Sequence, residues 1–387
     1  MAFFRNDTVN LLNLHYGIHS LAISGGGAFF SVFLLRAGVP APAVLGSLAL
    51  ILAGRFVLRP IVLVFGKRWG LKPLVIAGTL LSALQYPMLA QVHGVGWPLL
   101  ALCAASSVGD TVYWTSYHAY FASLGDAEHR GQQIGAREAI AAVVGIAGPL
   151  VTGWVLVTLG PQVAFGATGV VLTLAALPLL ATPNVPVLRE APGAFRASWL
   201  GVALLASDSW SCAGYFFVWQ IALFVSLGEN FLAFGGAMAL AALVGAAGGL
   251  MLGRLIDAGH GRRAVWLAAG AQGVTILARA VSYGHPAWAV AANALGVLVI
   301  AFYTPTMMTA VYNQAQESPC ALRFHMASEG SWDVGGASGC LACALLLWAG
   351  APFGAAILLS LAGMAATFFL LRRYYGDRGP AAATAVA

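Results

Sequence analysis

The side chains that could do chemistry in this chain are few, and they stand in apolar surroundings. His15 and His19 lie four residues apart, so a helix carries both on one face. Asp110 and Asp208 each sit within a long apolar run, as do Arg55, Arg59 and Arg279. Near the centre of a bilayer a charged side chain costs at least about 2.5–3.5 kcal/mol, so such residues face a cavity or a partner. A carboxylate in a low-dielectric cavity can bind and release a proton near neutral pH, and an imidazole titrates there without perturbation. Asp208, Asp110 and His19 are therefore candidate proton-carrying groups. The alternative for Asp110 is a structural pair with Arg55 or Arg59. His15 and His19 as metal ligands would need further ligands that nothing in the sequence supplies, and no metal or other cofactor is expected.

The elements that position these residues follow from composition. The 387 residues are 60% hydrophobic and 8% charged, with a mean hydropathy of +0.84; a soluble domain carries roughly 25% charged residues. A membrane-spanning helix needs about 20 apolar residues. The apolar runs read as spans 1–6 at 10–35, 41–65, 73–92, 97–121, 138–159 and 162–182. Spans 7–12 follow at 198–226, 230–254, 264–284, 287–311, 329–349 and 352–372. The runs are continuous rather than alternating, which predicts helices and not a β-barrel. The first run is too long for the core of a signal peptide and lacks a small-residue cleavage site. The expected fold is all-α integral membrane, with twelve transmembrane helices in two pseudo-symmetric six-helix bundles. Residues 1–182 form the first bundle, 183–197 a cytoplasmic linker rich in proline and charge, 198–373 the second bundle and 374–387 a cytoplasmic tail.

The two halves echo each other. Tyr113 matches Tyr303 at an offset of 190. At an offset of 191, Gly70 and Lys72 match Gly261 and Arg263, Ala136 and Glu138 match Ala327 and Glu329, and Gly145 and Gly148 match Gly336 and Gly339. A steady offset across several spans marks a duplicated membrane unit, the device by which many secondary transporters build a site at the bilayer midplane. Moved back by the same offset, Asp208 lands within a turn of both histidines, so spans 1 and 7 present titratable groups at a similar depth.

Charge gives an orientation. Fifteen of the 19 basic residues fall at the termini and in alternate loops, and the opposite side has only Arg36. The excess of positive charge inside predicts cytoplasmic termini. It also accounts for most of the net charge of +6, so no nucleic-acid partner is implied. The chain has 17 arginines against two lysines, which points to a GC-rich, bacterial genome and hence to the inner membrane.

One loop is specific. Between spans 8 and 9 the chain reads Gly253-Arg254-Leu255-Ile256-Asp257-Ala258-Gly259-His260-Gly261-Arg262-Arg263. This resembles the loop signature of the major facilitator superfamily, with one extra residue between Asp257 and Gly261. The equivalent first-half loop, Phe65 to Lys72, keeps the basic residues and lacks the aspartate. Span 5 carries Gly145-Ile146-Ala147-Gly148-Pro149-Leu150-Val151-Thr152-Gly153, similar to a glycine–proline motif frequent in the superfamily's proton-coupled exporters. The resemblance covers nearly the whole chain.

It implies that spans 1, 4, 7 and 10 line a central cavity. The cavity candidates are then His15, Tyr113, Tyr117, Trp210, Tyr215, Trp219, Gln220, Tyr303 and Thr304, a set suited to a small organic ligand. The resemblance also implies a latch between the halves on the cytoplasmic side. Arg262 or Arg263 would face Glu138 at the start of span 5. Arg59, Lys67 or Arg68 would face Glu329 or Asp333 at the start of span 11, and Asp257 would bond nearby backbone or basic groups. The alternative is that these charges only fix topology.

Other chemistry is missing. No Walker loop, Rossmann fingerprint or nucleophile elbow is present, so the reading is not an enzyme. Cys340-Leu341-Ala342-Cys343 lies inside an apolar span, where packing explains it. The run Ser24-Gly25-Gly26-Gly27 predicts a bend or close packing in span 1. The function expected is secondary active, proton-coupled transport of a small organic molecule by alternating access; the partners are the lipid bilayer, the substrate and protons, and a monomer is expected. The lean to export rests on the span 5 motif. Uptake by a symporter or facilitator, or a non-transporting assembly or sensor protein on the same fold, are the alternatives.

Overall fold

A lipid environment offers no hydrogen bonds to the backbone, which leaves helices as the local solution for continuous apolar runs. The computed structural model describes residues 6–124, 130–256 and 261–377, and within these the side chains of all but 130–139, 142, 197, 249–256, 261–264, 302, 305, 316 and 377. Regular structure among the described residues is helical throughout. The first half holds α1 (Asp7–Arg36), α2 (Ala41–Trp69), α3 (Leu71–Leu89), α4 (Trp97–Leu124), α5 (Arg130–Thr158) and α6 (Pro161–Leu180). The second half holds α7 (Trp199–Ser226), α8 (Phe231–Ile256), α9 (Gly261–Ser282), α10 (Pro286–Glu317), α11 (Ala321–Trp348) and α12 (Phe353–Gly376).

Among the described residues, nine of these helices contain a stretch long and apolar enough to cross a membrane. The three that fall short are α3, α4 and α5. In α3 the cause is Lys72 and Gln85; in α4 it is a buried polar run that includes Ser106, Ser107 and Thr111. Gln85 and the α4 residues turn inward, so the helices are polar towards protein, whereas Lys72 is half-exposed at the start of α3. Large apolar side chains such as Val57, Leu84, Val143, Trp266, Val281 and Leu345 are exposed, as a lipid-facing surface requires.

Packing repeats across the halves. In the first, α1 packs on α5, α2 on α4, and α3 on α4 and α6. In the second, α7 packs on α11, α8 on α10, and α9 on α10 and α12. Two seams join the halves, α2 against α11 and α5 against α8.

Glycines set the close approaches. A Cβ on Gly148 would stand 2.7 Å from the Ser24 hydroxyl of α1, and one on its repeat mate Gly339 would stand 2.8 Å from Ala213 of α7. The matched pair thus seats the fifth helix of each half against the first. Gly153 does the same for the α5–α8 seam, where a Cβ would lie 2.7 Å from the Phe231 carbonyl. The glycine run of α1 interrupts the helix with a 3₁₀ turn at Gly26–Phe29. Here a Cβ on Gly26 would meet Thr168 of α6 at 2.5 Å.

Two helices start earlier than hydropathy predicts. Helix α5 begins at Arg130 rather than 138, and α11 at Ala321 rather than 329. The added turns of α11 are polar but buried: Arg323, His325 and Ser328 all lie inside the protein. Burial against neighbouring helices, not apolarity, carries the helix through them. Glu138 and Glu329 therefore stand about two turns inside their helices rather than at the starts.

Gly339→Val forces α11 away from α7. Thermal unfolding of the purified protein should show a loss of about 1–3 kcal/mol, the usual cost of overpacking, whereas Gly236→Val, with nothing within 4 Å of its Cβ, should not.

Candidate functional site

Each half builds a node between its first and fourth helices. In the first half, His15 Nδ1 lies 2.7 Å from the Ala175 carbonyl and Nε2 lies 3.0 Å from the Tyr113 hydroxyl. A carbonyl only accepts, so Nδ1 carries the hydrogen and the neutral ring accepts from Tyr113 at Nε2. His19 stacks on Tyr113 with ring centroids 4.2 Å apart. Trp114 meets His19 edge-on at 5.4 Å, and Tyr117 stacks on Tyr16 at 5.6 Å. With both nitrogens of His15 engaged, a metal role for the histidine pair has no free donor on that ring.

In the second half, the Tyr303 hydroxyl donates to Asp208 Oδ1 at 2.9 Å. Trp332 of α11 lies within electrostatic reach of the same carboxylate. The matched tyrosines Tyr113 and Tyr303 thus hold the titratable group of the first helix in each half. The duplicated geometry is kept while the chemistry changes from imidazole to carboxylate.

Other cavity candidates are fixed by packing. The Trp210 indole donates to the Leu359 carbonyl at 3.3 Å, and Trp219 donates to Asn293 at 3.1 Å. Residues 213–218 of α7 form a π-helical turn, which frees a backbone carbonyl. Arg279 fills that role: its guanidinium donates to the Tyr215 carbonyl and lies over the Trp219 ring at 5.2 Å. The Cys212 thiol lies 3.1 Å from the Tyr215 hydroxyl. Gln220 is buried, and Thr304 is exposed.

Between the nodes lies an ion cluster that joins the halves. Arg59 donates to Asp333 and, at 3.4 Å, to Glu329, while Arg55 Nε stands 3.0 Å from Asp333. Arg59 also donates to Thr115 at 2.5 Å. His118 reaches Glu329 at 3.4 Å and stacks on His325 at 5.8 Å. Asp110 accepts from Ser82 at 3.3 Å and is within electrostatic reach of Arg55. Arg55, Asp110 and Asp333 each fall within two residues of the midpoint of their helix. The contact expected at helix ends is therefore made mid-helix, and it is made by Arg59 with Arg55. Lys67 and Arg68 are exposed at the end of α2, with Arg68 over the Trp69 ring at 5.9 Å, and take no part. Asp257 lies outside the described residues, as do the side chains of Glu138, Arg262 and Arg263.

A family model, Major Facilitator Superfamily, matches residues 14–324. The chain belongs to the major facilitator superfamily. Superfamily members are generally membrane transporters rather than enzymes, and the match together with the apolar helices makes this a multi-pass membrane protein. A comparison with curated proteins returned no match.

Sequence reasoning passed over His325, Trp332 and Thr115 in this superfamily member. The signal for His325 was present: His325, Glu329 and Asp333 recur every four residues, which puts them along one face of α11. Arg55 and Arg59 show the same spacing on α2.

Arg59 holds both Asp333 and Glu329, and its loss leaves Asp333 to Arg55 and Glu329 to His118. Arg59→Met should destabilise the protein by up to about 3–5 kcal/mol, the cost of breaking a buried pair. Adding Glu329→Gln should recover part of that loss, which thermal unfolding of the single and double variants would measure.

Proposed function

We propose that the protein is a secondary active transporter that moves a small organic molecule by alternating access, driven by protons. All twelve helices cross the inner membrane in this reading, with both termini in the cytoplasm. The observation that carries it is the pair of nodes: two halves related by a repeat, each presenting a titratable side chain on its first helix to a tyrosine on its fourth. Secondary transporters built from such repeats bind substrate and ions near the midplane, where the repeats meet.

Asp208 is the coupling carboxylate in this scheme. It is buried, it accepts a hydrogen bond from Tyr303, and no ion pair to it occurs among the described residues. A carboxylate without a fixed counter-ion can trade a proton as its surroundings change. His15 is held in one tautomer by two partners and serves position rather than proton transfer. The aromatic rings around it, Tyr16, Tyr113, Trp114 and Tyr117, give an apolar wall with polar edges for an organic solute. The lean to export follows the glycine–proline stretch of α5.

Charge movement in proteoliposomes tests the reading, with sugars, amino acids, organic acids and cationic drugs screened under an imposed pH gradient. One class should give a current or a pH-driven accumulation. Asp208→Asn should abolish uphill transport of that class and leave counterflow at equal pH intact. Unchanged uphill transport by the variant removes Asp208 from the mechanism.

A further inference from the structure

Opening the α2–α11 seam, as alternating access demands, separates the arginines from their carboxylates. Arg55, Arg59, Asp110 and His118 belong to the first half; His325, Glu329 and Asp333 belong to the second. The first half keeps an acid for Arg55, because Asp110 sits on α4, which packs on α2. Arg59 keeps its Thr115 hydroxyl. The second half keeps no described cation beside Asp333. The titratable groups on α7 and α10, the second-half helices packed along α11, are Asp208, Cys212 and Tyr215 of α7 and Tyr303, Tyr312 and Glu317 of α10, none of them a cation; Arg196 and Arg323 lie by the start of α11, with Arg323 about 15 Å back along the axis. Glu329 differs, since His325 stands one turn away on its own helix and its side chain is 13% exposed to Asp333's 0%.

An unpaired carboxylate at that depth is too costly to persist. We infer that Asp333 is a proton-binding site, loaded when α2 and α11 part, and that Asp110 then replaces it as the partner of Arg55. One O–H bond forms on Asp333 as a hydronium ion of the bulk solvent gives up its proton and becomes water, and one ion pair is exchanged for another. Closing the seam reverses both. Any link from this proton to solute movement rests on the transport reading, but the proton site itself does not need a substrate. Because opening takes up a proton, acid favours the open seam and alkali the closed one.

Spin labels at Lys67 and Glu317, both exposed and on opposite halves, report the seam in lipid nanodiscs when the five native cysteines are replaced. In the wild-type background the long-distance population should grow as pH falls. Asp333→Asn should be open at every pH, and Asp333→Glu should keep the pH response, which guards against a folding defect. Asp110→Asn should lower the open population at acid pH at least about tenfold, since Arg55 then has no second partner. A wild-type distance that ignores pH, or an Asp333→Asn protein that keeps the pH response, overturns the assignment. Proton-driven transport with an unmoved seam would do so while sparing the transport reading. A pH-driven seam in a protein that moves no solute would support the proton site and remove that reading.

Discussion

The ion cluster across α2 and α11 is the constraint on which the rest of the structure depends. Charges at mid-helix depth are tolerable only while paired, since each isolated one costs several kcal/mol. Here both guanidiniums belong to one half and their two carboxylate partners to the other. Neither half is electrostatically complete without its neighbour. That condition ties the halves together at their centre, and it makes their separation a choice between discrete pairings rather than a gradual loosening. The exposed Arg36–Glu229 pair, 3.6 Å apart, contributes little by comparison.

The repeat reaches this seam at Glu329, whose mate is Glu138, and not at the arginines or Asp333. Moved by the offset of 191, Arg55 and Arg59 fall on Ala246 and Leu250, and Asp333 falls back on Ala142. The second seam is built from close backbone approaches instead, with Gly153 against Phe231 and Gly235 against the Pro149 carbonyl. Small residues let two helices touch and slide without an electrostatic penalty. The molecule thus has one seam that switches and one that accommodates. The nodes, by contrast, keep the repeat's geometry, with the tyrosines holding an imidazole in one half and a carboxylate in the other.

Much of this was legible in the residues. The steady offset marked the duplicated halves, and the match of Tyr113 with Tyr303 pointed at both nodes. The intramembrane charges singled out Arg55, Arg59 and Asp110 because apolar surroundings make such residues conspicuous. What hydropathy could not show was the start of α11, since a buried polar turn reads like a loop until its neighbours are known. That error moved Glu329 and Asp333 towards the helix end in the sequence reading and made Lys67 and Arg68 plausible partners. Pairing across helices is a tertiary fact: spacing gave the faces of α2 and α11, but not that they meet.

The nodes and the seam are one connected system in space. Trp332 lies within electrostatic reach of Asp208 and under the Arg55 guanidinium, 5.7 Å from its ring centre. Its neighbour in the chain is Asp333. A proton on Asp208 weakens its pull on the Trp332 indole, and the ring that would respond is the one against which Arg55 rests. Adjacency alone does not make a coupling route; a two-state element that both sites bias does. The seam supplies that element, because Arg55 has two acids within reach on different halves. Coupling between the carboxylate in the second-half node and the closure of the halves therefore needs no long pathway, only one indole and one choice of ion pair.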